Sequence, residues 1–175
     1  MRTLTILTVF ILLSTSVFSQ RYVDSLHNFK INSGILIWQK VFETKQNTSK
    51  LIDQLKTKEF TSKLTFTDDQ IFGRTTKYKK SVIKFSPYYA SFGFDVFLTV
   101  DIKKNRIRIT AKEFIFDGPT ISIYGSEKKQ NYPLQDQIIK RNKIKNNNSA
   151  KKVLKSLNSI LINKFTLTEL IKDDW

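Results

Sequence analysis

The chain has 175 residues and no cysteine, which rules out disulfides and thiolate metal centres and leaves stability to a hydrophobic core. Thirty Lys+Arg stand against 15 Asp+Glu, a formal net charge of +15 that favours polyanions such as lipopolysaccharide, anionic glycans, a membrane surface or nucleic acid. One histidine and five glycines leave no ligand set for zinc and no glycine-rich loop for a phosphate.

Residues 1–19 carry one positive charge, Arg2, then an uncharged apolar run from Leu4 to Leu13, then Val17-Phe18-Ser19. That order is the n-region, h-region and cleavage site of a secretory signal. An uncleaved anchor or a buried helix are the alternatives, but the run falls short of the roughly 20 residues a membrane span needs. The mature chain is therefore expected to begin at Gln20, to carry no transmembrane segment and to work in the periplasm or outside the cell. Lipid anchoring needs cysteine where Gln20 stands. A mature domain of about 155 residues buries roughly 68–70% of its unfolded surface, enough for one core. Losing Arg2 lowers the net charge by one, from +15 to +14. Plentiful Lys, Asn, Ile and Phe also match the coding bias of an AT-rich genome.

Residues 20–33 lack a period and read as a lead-in. Ile35-Leu36-Ile37-Trp38 with Val41 and Phe42 predicts a strand buried on both faces. Asn47 or Thr48 caps a helix bearing Leu51, Ile52 and Leu55, with Phe60 packed at its end. Leu64–Phe66, Gln70–Thr76 and Ser81–Phe85 read as short strands, separated by Asp68-Asp69, Gly73 and a basic run. From Phe92 to Ile102 apolar residues alternate with mixed ones, a period of two.

A turn at Lys104-Asn105 would place Ile102 opposite Ile107, Val100 opposite Ile109 and Leu98 opposite Ala111 on the buried side. On the other side Asp101 meets Arg108 and Thr99 meets Thr110. Slipping by one residue would bury Arg106 and Arg108, so the register is well specified. Phe114 and Phe116 are out of phase with this pattern, and a bulge near Lys112-Glu113 restores them. Gly118-Pro119 ends the strand, and 118–149 reads as a loop-rich connection with a short Ile121–Tyr124 strand. Ser149 caps a helix bearing Val153, Leu154, Leu157, Ile160 and Leu161. Thr166-Leu-Thr-Glu169 is a capping box, with Phe165 and Leu170 as its staple, opening a last helix that runs to Trp175.

The expected fold is α+β: an antiparallel sheet, one helix after the first strand, and C-terminal helices packed on one face. After the signal, 20–175 forms a single domain with its core at 31–117, the connection at 118–149 and helices at 150–175. Ile37-Trp38-Gln39-Lys40-Val41-Phe42 before the first helix, Phe97–Ile102 before the hairpin and the segment Arg106–Phe116 carry a resemblance. Their order is similar to that of secreted bacterial domains of unknown function, common in Bacteroidetes, with a TATA-box-binding-protein-like fold. The resemblance covers about residues 31–117. It implies the sheet and its one-sided helices, and it supplies neither an activity nor functional residues.

No catalytic or metal motif emerges, and no cofactor is expected. His27 lies in the unpatterned lead-in. Asp68-Asp69 and Asp173-Asp174 are turn and tail pairs whose side chains point apart. Trp38 reads as core rather than as a ligand platform. Tyr88-Tyr89, beside Pro87, either line a carbohydrate or peptide surface or fold onto the sheet edge. Asp24-Ser25-Leu26 resembles a short O-glycosylation pattern of Bacteroidetes. The leading function is a non-enzymatic extracytoplasmic interaction module. The alternative is an envelope or polyanion binder using the basic window 128–155, with contacts at Lys128, Lys129, Lys140, Arg141, Lys143 and Lys145. In that window nine Lys/Arg face one acid, Asp136. Such binding would fade towards about 0.3 M salt. A hydrolase or a selective nucleic-acid binder ranks lower: nothing in the sequence favours two carboxylates meeting across the fold, and a recognition helix and a zinc finger are missing from the sequence pattern.

If the export signal is read correctly, N-terminal sequencing of the protein recovered outside the cytoplasm starts at Gln20. Recovery of a chain starting at Met1 would overturn it.

Overall fold

The computed structural model describes residues 22–44, 48–67, 70–83, 87–103 and 106–166. The signal segment, the Asn47 cap, Asp68-Asp69, the Lys104-Asn105 turn and the helix expected beyond Thr166, with Asp173-Asp174, lie outside the described residues. Chain order is β1 (Tyr22–Val23), β2 (Ser25–Leu26), β3 (Phe29–Asn32), β4 (Ile35–Glu43), α1 (Thr48–Thr57), β5 (Thr65–Phe66), β6 (Gln70–Arg74) and β7 (Phe94–Lys103). Then follow β8 (Arg106–Ile123), β9 (Ser126–Pro133), α2 (Leu134–Ile138), β10 (Ile139–Lys140), β11 (Lys143–Lys145) and α3 (Asn148–Phe165). The main antiparallel sheet runs β2-β3-β4-β8-β7-β6-β5, with β9 also paired to β8; a small sheet runs β1-β11-β10.

The β7–β8 register is the expected one at every quoted pair: Ile102 with Ile107, Asp101 with Arg108, Val100 with Ile109, Thr99 with Thr110 and Leu98 with Ala111. Phe94, Val96, Leu98 and Val100 are fully buried. The bulge also stands where the phase slip placed it. The register shifts between Asp95 and Phe97, opposite Glu113, whose φ is 54°. Phe114 and Phe116 thereby join the core.

The helices cover the face that carries these buried residues. Leu51 and Leu55 of α1 are buried, and Phe60 beyond its end meets the rings of Phe94 and Phe165. From α3, Val153, Leu154, Leu157, Leu161 and Phe165 are buried, each contributing roughly 1.5–3 kcal/mol by leaving water. Trp38 is fully buried, and its indole N–H donates to Asn158 Oδ1 of α3 at 2.9 Å. Lys58 donates to the carbonyl of Lys164 at 2.7 Å, tying the end of the first helical segment to the C-terminus of α3. Burial and then the Lys164 charge hold the Lys58 ammonium below its ordinary range.

Several sequence expectations need correction. The lead-in is ordered as β1, β2 and β3, and Phe29 is fully buried opposite Trp38. β4 is buried on both faces only from Leu36 to Trp38, since Val41 is 52% exposed. Ser81–Ile83 is not a strand; Val82 and Ile83 both donate to the Ala90 carbonyl, and the rest of that expected element lies outside the described residues. Gly118-Pro119 does not end β8, which passes through it with a second register shift between Asp117 and Thr120. The span 118–149 is therefore not loop-rich but two hairpins and a short helix. The α3 cap is Asn147, whose side chain accepts from Ala150 N at 2.8 Å, two residues before Ser149. Phe165 is the last residue of α3 and packs in the core.

Four tight turns close these hairpins. His27-Asn28, Ser33-Gly34, Tyr124-Gly125 and Arg141-Asn142 each link adjacent strands with both central φ values positive. That is the twist a two-residue hairpin demands, but these pairs lack the Asn-Gly or Asp-Gly signature. Gly93 has a different reason. A Cβ there would collide with the carbonyl oxygen of Tyr78, which bridges to Phe94.

Val100→Asp is expected to destabilise the protein by on the order of 3–5 kcal/mol, because a charge enters a dry core. Thr99→Asp, one residue along on the other face, should cost far less. Urea denaturation measures both, and equal losses would mean that the faces are reversed.

Candidate functional site: the open face of the sheet

The face away from α1 and α3 can be read row by row from the register, crossing β4, β8, β7 and β6. Glu43, Arg106 and Lys103 form the first row, and Val41, Arg108, Asp101 and Gln70 the second. Gln39, Thr110, Thr99 and Phe72 form an uncharged third row, and Ile37, Lys112, Phe97 and Arg74 a fourth. Rows lie roughly 6.6 Å apart, two residues of strand. Three large apolar side chains are exposed here: Val41 at 52%, Ile35 at 42% and Phe72 at 37%.

Most charges on this face are matched in place. Arg108 Nε lies 3.0 Å from Asp101 Oδ2, and Gln70 Nε2 donates to the other oxygen at 3.1 Å. Arg74 reaches Asp95 Oδ1 at 2.5 Å and Glu113 Oε2 at 2.9 Å, and also donates to the Glu113 carbonyl at 3.2 Å. Lys112 Nζ sits 5.1 Å from the Phe97 ring centre. Exposed pairs of this kind stabilise by about 0–1 kcal/mol, so their main effect is to pattern the surface. Between the first two rows lies a cavity of about 600 Å³, lined by Val41, Asp101, Lys103, Arg106 and Arg108.

The six cations singled out in sequence are carried by strands of two different sheets. Lys128 and Lys129 lie on β9, whereas Lys140, Arg141, Lys143 and Lys145 belong to the β10–β11 hairpin of the small sheet. Lys129 is bound to Asp117 at 2.8 Å, Lys143 lies 3.6 Å from Asp24, and Lys145 donates to the Gln137 carbonyl at 2.7 Å. A smaller cavity of about 530 Å³ runs beside Lys128, Lys129 and Tyr132. The rest of the sequence candidates also have plain positions. His27 is an exposed turn residue, and Ser25 is exposed on β2. Tyr89 stacks edge-on against Phe116, and burial pushes its hydroxyl up to about 12, while Tyr88 is 58% exposed against Phe92. Among the described residues no three His, Asp or Glu side chains group as metal ligands, and no helix is long and apolar enough to cross a membrane.

With strand order and open face in view, comparison with solved structures is informative. The fold is TBP-like. A TBP-like protein from Parabacteroides distasonis superposes with a TM-score of 0.50 at 13% identity, covering 78% of this chain and 91% of that one. A DUF4468 family protein from Bacteroides ovatus gives 0.50 at 11% identity, covering 87% and 96%. No protein-family model matches the sequence, and no curated protein matches it. At such identities the likeness is one of fold, and it extends past the 31–117 segment on which the sequence resemblance rests.

Asp117 is paired with two lysines, Lys77 at 2.6 Å and Lys129 at 2.8 Å. Burial pushes its carboxyl up, but the hydrogen bonds and charges of the two lysines outweigh this and hold it below the ordinary value. Its contribution is therefore present above the unfolded-state value and is lost as pH falls through the folded-state one. Asp117→Asn should flatten the fall in melting temperature between about pH 5 and pH 2. An unchanged acid slope, followed by circular dichroism, would show that the cluster contributes nothing.

Proposed function

We propose that this chain is an exported, non-enzymatic interaction module that docks a protein partner on the open face of its sheet. The observation that carries this reading is the set of exposed apolar side chains on the sheet face left uncovered by α1 and α3, Val41 and Phe72 in its second and third rows and Ile35 at the start of β4. Exposed apolar surface rimmed by polar groups is the usual character of an interaction face. The mixed charge supports a protein partner over a uniform polyanion, since Asp95, Asp101 and Glu113 stand among the cations. Export rests on the n-region, h-region and cleavage pattern of residues 1–19. The alternative, an envelope polyanion held by Lys128, Lys129, Lys140, Arg141, Lys143 and Lys145, draws on exposed Lys128, Lys140 and Arg141. It is weakened by the engagement of the other three.

A photo-reactive residue placed at position 41 should give a covalent adduct with another protein in producing cells. The same residue at position 152, on the exposed side of α3, should give none. Adducts from position 152 alone would place the interaction on the helical face and refute the proposal.

A further inference from the structure

We infer that the partner docked on this face presents carboxylates to a cationic corner formed by Lys103, Arg106 and Arg108; the inference rests on the docking reading above. Lys103 and Arg106 are register partners, so two like charges stand directly opposite each other across β7 and β8. Such a pair is destabilising within a sheet unless an anion lies between or above it. Asp101 does not relieve it, because its two oxygens are taken by Arg108 and Gln70. Glu43 is opposite Arg106 on β4, yet no ion pair joins them among the described residues. Of the charged side chains lining the cavity of about 600 Å³, Arg108 and Asp101 pair with each other, which leaves Lys103 and Arg106 as its cations without an ion-pair partner among the described residues.

Charge decides the chemistry of the occupant, and the neighbouring rows decide its class. The third row is uncharged, so a chain leaving the corner crosses Thr110, Thr99 and Phe72 before it meets Arg74, which Asp95 and Glu113 already hold. A uniformly anionic glycan or nucleic acid would carry its charge across that uncharged strip and onto those carboxylates. A polypeptide can place Asp or Glu at the corner and apolar side chains on Val41 and Phe72. A second copy of this chain is disfavoured, since each copy carries a net charge of +15, or +14 once the signal with Arg2 is removed. The occupant is therefore an acidic segment of a different protein, with apolar residues beside its carboxylates.

The test uses the position-41 photo-adduct in cells producing the full chain. In a Lys103→Glu/Arg106→Glu background the adduct should fall at least tenfold while the protein still unfolds in a single cooperative transition, both sites being exposed. Lys152→Glu, of the opposite face, should leave the yield intact. Mass spectrometry of the adduct should identify a segment in which Asp and Glu outnumber Lys and Arg. An adduct indifferent to the charge reversal, a neutral or basic segment, or attachment to a glycan or nucleic acid would each overturn the inference. Of these, the first two leave docking of a protein on the open face standing. Absence of any adduct at position 41 would instead remove the docking reading and the inference with it.

Discussion

The ladder joining β7 to β8 settles which side chains meet the helices and which meet solvent. A strand sends successive side chains to opposite faces, so one register choice assigns the whole set. With Val100 opposite Ile109, Leu98 and Val96 face inwards, and Thr99, Asp101 and Lys103 face out. Every other element is placed against that choice. β4 extends the sheet on the β8 side and brings Trp38 to Asn158, which fixes where α3 lies. β6 extends it on the β7 side and brings Arg74 to Asp95. The open face is the reverse side of this same assignment.

The bulge at Glu113 is the second constraint. A non-glycine residue at φ 54° costs about 1–2 kcal/mol. Arg74 stabilises it through both the side chain and the backbone carbonyl of Glu113, from 39 residues away in sequence. The extra residue returns Phe114 and Phe116 to the core, where they meet Phe94. Beyond the bulge β9 takes the side of β8 that β4 occupied, and the β8–β9 hairpin runs on to an exposed Tyr124 at its tip. One local irregularity thus lets a single 18-residue strand serve two neighbours.

Sharing a TBP-like fold says nothing by itself about a ligand, because function resides in the side chains set on the sheet. Here those side chains are a mixture. Carboxylates hold Arg74 and Arg108, an uncharged row crosses the middle, and at the end of the sheet Lys103 and Arg106 stand beside a single carboxylate, Glu43, that is ion-paired with neither among the described residues. That gradient, with apolar residues beside it, is the arrangement that a mixed protein surface complements and a regular polyanion does not.

Periodicity within single segments was legible from the sequence alone. The β7–β8 register, the bulge and the buried face of α3 all follow from residues close together in the chain, whose alternation or 3.6-residue spacing leaves one low-energy arrangement. β1, β2 and β3 were not legible, because two to four residues cannot display a period, and Phe29 is buried only through its pairing with β4. The short strand at Ile121–Tyr124 was legible and, as far as Ile123, is the end of β8, but its partner β9 was not, for another reason. The ladder of β9 is made by backbone groups, and its largely exposed side chains carry no apolar pattern. The same limit applied to the site. Linear density of lysine drew attention to Lys128–Lys145, which folding divides between two sheets and partly neutralises. Lys103, Arg106 and Arg108 were visible only as the outward half of a hairpin. It took the docking of β4, whose Val41 pairs with an arginine 67 residues further along the chain, Arg108, to add the apolar wall that makes them a corner. Local sequence determines which way a side chain points; which distant strand lies beside it is decided by long-range pairing and packing, and that is where this site is made.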